Sequence, residues 1–245
     1  MKRKLTILIL LSTLSFSKDF YFLKQNSIPK YHESSEKKAS LCGQIYTEII
    51  KNLKHKNIEL KIDDTLYPIK RILLKLERGS GHIFCGAGKT KDRKEKFIYS
   101  KRPVYSVNNV VMAHASENFI PVKLEEFGQR RIMIGAYFGT SSSEYLKSIK
   151  GIQVNDSFTD PEDAFKLIEA KKLRYFFYHD LALNYAVENS NYHLKVIPVK
   201  FRSIEQWILY SKKLPENIRE AVENEIDELY KSGKIQQIWQ KFLVQ

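Results

Sequence analysis

Hydrophobic and polar residues follow two different periods along this chain, and each period predicts one type of element. Residues 58–62 alternate apolar and polar side chains one by one, which is typical of a strand with one buried face. Ile69, Ile72 and Leu76 recur at three- and four-residue intervals, which predicts a helix that opens at Pro68. Compact runs of apolar and aromatic residues predict further strands at 20–23, 82–85, 107–113, 131–136, 175–178 and 194–199.

The predicted strands alternate with predicted helices, and the alternation starts again after about residue 130. One helix of the second series begins where Asp160 can act as its N-cap and Pro161 can occupy its first turn. Alternation of this kind is typical of α/β proteins. The pattern therefore predicts an α/β fold built from two successive lobes.

The first residues are organised like a secretory signal peptide. Basic residues at 2–4 precede a short apolar run at 5–14, and Ser15 and Ser17 follow with the small-x-small spacing of a cleavage site. A buried N-terminal helix or strand would explain the apolar run but neither the basic start nor the small residues. We expect residues 1–17 to be removed, with cleavage after about Ser17, and the mature protein to be periplasmic.

The charge of the chain is strongly basic, with 41 Lys and Arg against 28 Asp and Glu in 245 residues and a formal net charge of +13. The basic residues are scattered, without an arginine-rich arm or a nucleic-acid-binding motif, so we expect no nucleic-acid partner. A bias toward an anionic or zwitterionic ligand remains. The six histidines stand singly, without the spacing of metal ligands, so we expect neither a metal site nor a cofactor.

The chain has two cysteines, Cys42 and Cys85. An even number of cysteines in an exported protein predicts a disulfide between them, because that compartment is oxidising. Two buried free thiols are the alternative.

A motif in the first half of the chain resembles a known family. Residues 85–93 read Cys-Gly-Ala-Gly-Lys-Thr-Lys-Asp-Arg, and residues 97–105 contain a Phe-x-x-Ser-x-x-Pro-x-Tyr pattern. They resemble the bacterial extracellular solute-binding proteins of family 3, in which an Ala-Gly-x-x-x-Thr-x-x-Arg turn precedes a Phe-Ser-x-Pro-Tyr segment. The first long helix near 42–49, a Gly-x-x-x-Gly-Thr turn at 135–140 and closing helices at 229–242 agree with the family in order.

The resemblance implies a two-lobed periplasmic binding protein fold of type II, in which each lobe is a sheet flanked by helices and two hinge strands join the lobes. Lobe one would comprise residues 18–113 and 203–245, and lobe two residues 114–202. A ligand would bind in the cleft between the lobes and the hinge would close around it.

The same resemblance implies that Arg93 binds a carboxylate of the ligand, since a guanidinium can form two parallel hydrogen bonds to one. A surface arginine paired with Asp92 or Glu95 is the alternative. Thr90 is either a binding hydroxyl or a helix N-cap. Glycine at Gly88 lets the backbone approach the ligand but removes a side-chain contact that many amino-acid binders have.

A second anion-binding element is predicted where a helix opens after Gly139. Thr140 and Ser141 precede this helix, and the spacing from Ser141 to Glu144 is that of a capping box. The free N–H groups and the dipole of the helix would attract an anion. Arg93 and this turn are therefore expected to hold one carboxylate between them.

One position departs from the family pattern. Amino-acid binders of this family place an aspartate after the strand near 175–178 to bind the ammonium of the ligand, whereas this chain has His179 there and Asp180 one residue later. Asp180 either binds the ligand or caps the following helix. Three tyrosines are expected to form the walls of the cleft: Tyr31, Tyr105 and Tyr137.

These observations predict a monomeric solute-binding protein that delivers a small polar, carboxylate-bearing, amino-acid-like solute to an ABC permease in the inner membrane. An enzyme of the dehydratase type is one alternative, with His179, Asp180 and Glu144 as the candidate acids and bases. A sensor or binding module without a transport role is the other. No catalytic constellation is visible, which favours binding.

Overall fold

The computed structural model describes residues 19–32 and 39–243, so the predicted signal peptide at 1–17 lies outside the described residues. Strands and helices alternate along most of the chain, as predicted. The strands are β1 (Phe20–Gln25), β2 (Leu60–Tyr67), β3 (Ile83–Ala87), β4 (Ile98–Tyr99), β5 (Tyr105–His114), β6 (Met133–Tyr137), β7 (Gln153–Phe158), β8 (Tyr175–His179) and β9 (Leu194–Tyr210). The helices are α1 (Leu41–Lys54), α2 (Ile69–Arg78), α3 (Lys91–Lys96), α4 (Glu125–Gln129), α5 (Ser141–Ser148), α6 (Pro161–Glu169), α7 (Asp180–Asn189), α8 (Glu216–Lys231) and α9 (Lys234–Gln240).

Lobe one is built on a sheet in which β2, β1 and β3 run parallel and the end of β9 pairs antiparallel with β3. Helix α1 buries Ile45, Ile49 and Leu53, which lie on one face because they are spaced by four residues. Helix α2 ends at Gly79, whose φ of 71° is the left-handed conformation that glycine adopts without a steric penalty. These apolar faces form the core of lobe one.

Lobe two is built on β7, β6 and β8, which run parallel, with β8 antiparallel to β5. Helix α6 starts as predicted, because the carboxylate of Asp160 accepts a hydrogen bond of 2.9 Å from the backbone N–H of Glu162. Aromatic residues of β8 lie on both faces of the sheet: Phe176 packs in one apolar core and Phe177 in another.

Two long antiparallel strands, β5 and β9, cross between the lobes. Their pairing runs from Tyr105 opposite Gln206 to Asn109 opposite Arg202, shifts register, and continues from Val111 opposite Ile197. The apolar core also changes here, since residues up to Val107 belong to the core of lobe one and Val110 belongs to lobe two. The two lobes and their two connecting strands are thus present, while the limits predicted near 113 and 202 stay a prediction.

Several elements differ from the sequence-based expectation. Strands β2 and β9 were expected to end at 62 and 199 but extend to Tyr67 and Tyr210, and β4, β7 and α4 were not predicted. Strand β7 and residues 200–206 of β9 are rich in polar residues, so their pairing with neighbouring strands leaves no local apolar pattern. Throughout the described ranges, the helices all fall short of the length and apolar character that a membrane span requires.

The predicted disulfide between Cys42 and Cys85 is confirmed, and their Cα atoms are 5.9 Å apart. Cys42 lies in the first turn of α1 and Cys85 lies in β3, so the bond joins a helix to the central strand of lobe one. Both cysteines are fully buried in the lobe-one core.

Replacing Cys42 and Cys85 together by serine should destabilise the protein. The bond closes a loop with a sequence separation of 43 residues, and loops of this size restrict the unfolded chain by about 4 kcal/mol in an entropy model. We expect the free energy of unfolding to fall by about 2–4 kcal/mol in a urea titration. Wild type in reductant should resemble the double variant, and a reductant effect that persists in the variant would contradict this assignment.

Candidate functional site

A small cavity lies between the two lobes. It is bordered by the turn after β3, the turn before α5, the end of β8 and the crossover strands, and it measures about 30 Å³. A space of that size holds about one water molecule. The two lobes therefore lie close together at this position.

Arg93 connects the two lobes. It lies in the first turn of α3, where Thr90 caps the helix by accepting a hydrogen bond of 3.3 Å from the Arg93 N–H. The guanidinium donates to the carbonyl of Gly88 in lobe one at 3.0 Å and to the carbonyl of Gly139 in lobe two at 2.9 Å. Its side chain is almost fully buried, and its Nε–H has no hydrogen-bond partner. Arg93 is thus a buried cation with an unused donor.

Lys30 is a second buried cation of this cavity, and sequence analysis missed it. Its ammonium donates to the side-chain oxygen of Gln25 at 2.5 Å and to the carbonyl of Gly86 at 3.3 Å. Burial, together with the nearby charge of Arg93, lowers the pKa of Lys30 to about 7. One signal could have found it: Lys30 follows the first strand, at the sheet edge where α/β proteins bind ligands.

The turn before α5 contributes hydroxyl groups to the cavity. Thr140 caps the helix by accepting a hydrogen bond of 3.1 Å from the N–H of Ser143, so the expected capping box starting at Ser141 is wrong by one residue. Ser141 is left to line the cavity. Ser142 lines it as well, and its hydroxyl accepts from the side-chain amide of Asn109 at 2.8 Å.

The backbone of Gly88 lies so close to lobe two that there is no room for a side chain between it and Ser141. A Cβ atom added at Gly88 would collide with the hydroxyl of Ser141 and lie 3.3 Å from the Cγ2 of Ile204. The absence of a side chain at Gly88 therefore permits the lobes to close, beyond any effect on the ligand.

His179 lines the cavity and caps α7. Its Nδ1 accepts a hydrogen bond of 3.1 Å from the N–H of Ala182, which leaves Nε2 to carry the proton of the neutral ring. Burial lowers the pKa of His179 well below its ordinary value, and the charge of Lys30 lowers it further. At neutral pH the ring is therefore uncharged and offers a donor.

Asp180 lies outside the cavity. Its carboxylate accepts hydrogen bonds from the backbone N–H of Asn108 at 3.0 Å, from the side-chain amide of Asn108 at 2.7 Å and from the N–H of Leu181 at 2.9 Å. These bonds fasten α7 to the crossover strand β5. The side chain borders a different recess, on which Trp239 and Phe242 also lie.

The three nominated tyrosines are not brought together. Tyr31 is buried in lobe one, where its hydroxyl is bonded to Tyr46 at 2.8 Å and to the carbonyl of Cys85 at 2.7 Å. Tyr105 is in the same core, with its hydroxyl 3.8 Å from the sulfur of Cys42. Tyr137 instead lines a larger chamber of about 520 Å³ beside the cavity, and its buried hydroxyl has no partner.

The small cavity is cationic. Arg93 and Lys30 both line it, and none of its lining residues within the described ranges is an aspartate or a glutamate. No cluster of potential metal ligands occurs in the described part of the chain. Two desolvated cations without a facing carboxylate are unfavourable alone and complementary to an anion.

Replacing Lys30 by methionine should stabilise the ligand-free protein, most strongly below pH 7. The pKa of Lys30 is about 7 when folded and near 10.5 otherwise, so between these values the unfolded chain binds more protons. The cost of burying Lys30 is therefore complete below pH 7 and decreases as the pH rises toward 10.5. Urea titrations across this range should show the stability gain of the variant shrinking with pH, and a constant gain would contradict this account.

Solved structures with the same fold are numerous. A mutant of ArgBP from T. maritima is 19% identical to this chain with a TM-score of 0.78, covering 93% of this chain and 96% of that one. AbpA from Streptococcus pneumoniae bound to L-arginine, an amino acid ABC transporter substrate-binding protein, is 16% identical with a TM-score of 0.76, covering 91% and 94%. The ancestral amino-acid-binding protein AncCDT-1, a precursor of cyclohexadienyl dehydratase, is 14% identical with a TM-score of 0.75, covering 91% and 95%.

These likenesses confirm the predicted two-lobed periplasmic binding protein fold of type II. No curated protein sequence matches the chain. A family model does match it, over residues 43–245, which is most of the chain. This match confirms the family resemblance that the motifs indicated: the protein belongs to the bacterial extracellular solute-binding proteins, family 3.

Proposed function

We propose that this protein captures a small carboxylate-bearing solute in the periplasm and delivers it to an ABC permease in the inner membrane. The observation that carries the proposal is the position of Arg93, which is buried between the lobes, bonded to a carbonyl of each and left with a free Nε–H. A carboxylate can satisfy a guanidinium with two parallel hydrogen bonds, and the Arg93 guanidinium directs its two terminal nitrogens at acceptors of both lobes.

The groups around Arg93 come from both lobes, which is what a closing mechanism requires. Gly88 and Lys30 belong to lobe one, whereas Ser141 and His179 belong to lobe two. A solute that touches both sets binds the closed form better than the open form and shifts the population toward it. In the absence of solute the same closure buries two cations without an anion, which favours reopening.

The enzyme alternative lacks an assembled set of acids and bases. Of the three candidates, only His179 borders the cavity, and burial keeps its ring neutral. Asp180 is engaged with Asn108, and Glu144 lies exposed on α5. We therefore favour binding without turnover.

Arg93→Lys should weaken solute binding by about 10- to 100-fold, because lysine keeps the charge but cannot form two parallel hydrogen bonds. A thermal-shift screen of amino acids and small carboxylates would first identify the solute, since binding raises the melting temperature. Calorimetry would then compare wild type, Arg93→Lys and the matched control Arg102→Lys, whose arginine is exposed. Equal affinities for all three would contradict the proposal.

Mass analysis of the solute after incubation with the protein should recover it unchanged. Conversion of the solute would favour the enzyme alternative.

Gly88→Ala should hinder closure, because the added Cβ meets Ser141. We expect the variant to show weaker binding and a smaller solute-induced decrease in radius of gyration by small-angle X-ray scattering. Adding Ser141→Gly removes the obstructing side chain and should restore part of the closure. Normal compaction in Gly88→Ala would show that the lobes do not need this close contact.

A further inference from the structure

We propose that Lys30 forms a second anion-binding subsite next to Arg93, and that the solute is a small dicarboxylate without an ammonium group. This inference rests on the proposed function and adds the chemical class of the solute to it. It depends on two features of the cleft: a second buried cation without an anionic partner, and the lack, among the described lining residues, of a carboxylate that could meet a ligand ammonium.

Lys30 is buried without an anionic partner. Only 3% of its surface is exposed, and both of its hydrogen-bond acceptors are neutral oxygens, one from Gln25 and one from Gly86. Lys24 provides a contrast, since it is equally buried but has the carboxylate of Asp64 at 3.8 Å. A buried lysine that borders a binding cavity and faces no carboxylate within the described residues is placed to receive an anion from solution.

Arg93 is attracted by the charges of Glu144 and Asp92 outside the cavity lining, whereas within the described residues the only charge that acts on Lys30 is that of Arg93. The charge of Arg93 helps to lower the pKa of Lys30, which indicates that the two groups repel each other through the cavity. A monocarboxylate bound to Arg93 would leave Lys30 uncompensated. A dicarboxylate compensates both, and each carboxylate replaces neutral carbonyl or amide oxygens with a stronger, charge-assisted bond.

The cavity has no carboxylate for a ligand ammonium. His179 occupies the position after β8, and its Nδ1 is already used by the N–H of Ala182, so the ring offers a donor rather than an acceptor. An ammonium would add a third positive charge beside Arg93 and Lys30 without an opposite charge to meet it. An α-amino acid is therefore disfavoured relative to the same acid without its amino group.

The two acids that line the neighbouring larger chamber each accept a hydrogen bond from another residue of lobe two. Asp160 accepts from the N–H of Glu162 at 2.9 Å and caps α6, and Glu162 accepts from the hydroxyl of Tyr192 at 2.6 Å. Both border the chamber that Tyr137 lines and not the cavity of Arg93 and Lys30.

The first experiment measures three matched acids on the wild-type protein. Succinate has two carboxylates, butyrate has the same carbon number with one, and aspartate is succinate with an added ammonium. Glutarate, pentanoate and glutamate form a second set of greater length. In at least one set, we expect the dicarboxylate to bind about 100-fold more tightly than the monocarboxylate and the amino acid of the same length, because it forms an additional desolvated charge pair. Equal or tighter binding of the monocarboxylate or the amino acid in both sets would overturn the inference.

The second experiment tests Lys30 itself. Lys30→Met should weaken binding of the preferred dicarboxylate by about 30-fold or more, while the matched monocarboxylate should change by less than about threefold. Lys30→Arg should recover part of the loss. The control is Lys70→Met, which removes an exposed lysine that packs on Phe138 near the cleft and leaves the cavity lining intact. Equal losses of dicarboxylate affinity in Lys30→Met and Lys70→Met would indicate a general electrostatic attraction of the basic surface and would overturn the inference.

The outcomes separate this inference from the function on which it rests. If amino acids bind in an Arg93-dependent way and the dicarboxylates do not, the inference fails and the proposed function stands. If neither dicarboxylates nor any of the acids in the thermal-shift screen bind, both fail. Because the wild-type acid series does not use variants, a Lys30→Met protein that did not fold would leave the first experiment decisive.

Discussion

The contact on which the closed molecule depends is the pair of hydrogen bonds from Arg93 to the carbonyls of Gly88 and Gly139. A single side chain there joins the lobes at the position where a solute would bind. Such a contact is available only because Gly88 lacks a side chain, so that the turn after β3 can reach the start of α5. Under the proposed function, a solute carboxylate would compete with these two carbonyls for the donors of the same guanidinium.

Arg93 can act in this way because the strands beneath it hold the lobes in register. Strands β5 and β9 pair on both sides of a register shift near Asn109. Each lobe therefore contains one paired part of these two strands, and the shift lies between the two apolar cores. Asp180 secures this arrangement by fastening α7 to Asn108. Motion between the lobes is therefore expected to concentrate at the irregular pairing and not within either lobe.

Electrostatics set the balance between the open and closed forms. Arg93 and Lys30 are both buried between the lobes as they stand, and no aspartate or glutamate lines the described part of their cavity. The cost of that burial opposes closure without solute, and an anion that enters the cleft relieves it. Under the proposed dicarboxylate selectivity, the solute that best compensates both charges would also be the one that best stabilises the closed form.

Local signals in the sequence were sufficient for much of the fold. The spacing of Ile45, Ile49 and Leu53 determined a buried helix face, Asp160 and Gly79 marked helix ends, and the family motif drew attention to Arg93, which lies buried between the lobes. These features depend on residues that are close together in the chain, and the family motif also lies within one short segment.

Only the tertiary structure decided which groups share the cavity. Lys30 is separated by 63 positions from Arg93 and carries no motif. It borders the same cavity because the loop after β1 lies beside Gly86 of β3. His179 and Asp180 are adjacent in sequence, yet the start of α7 directs one into the cavity and the other toward Asn108. Strand β9 extends past residue 199 because β5 pairs with residues 202–206 and β3 pairs with residues 207–210. Each of these results depends on partners that are distant along the chain, which no local pattern records.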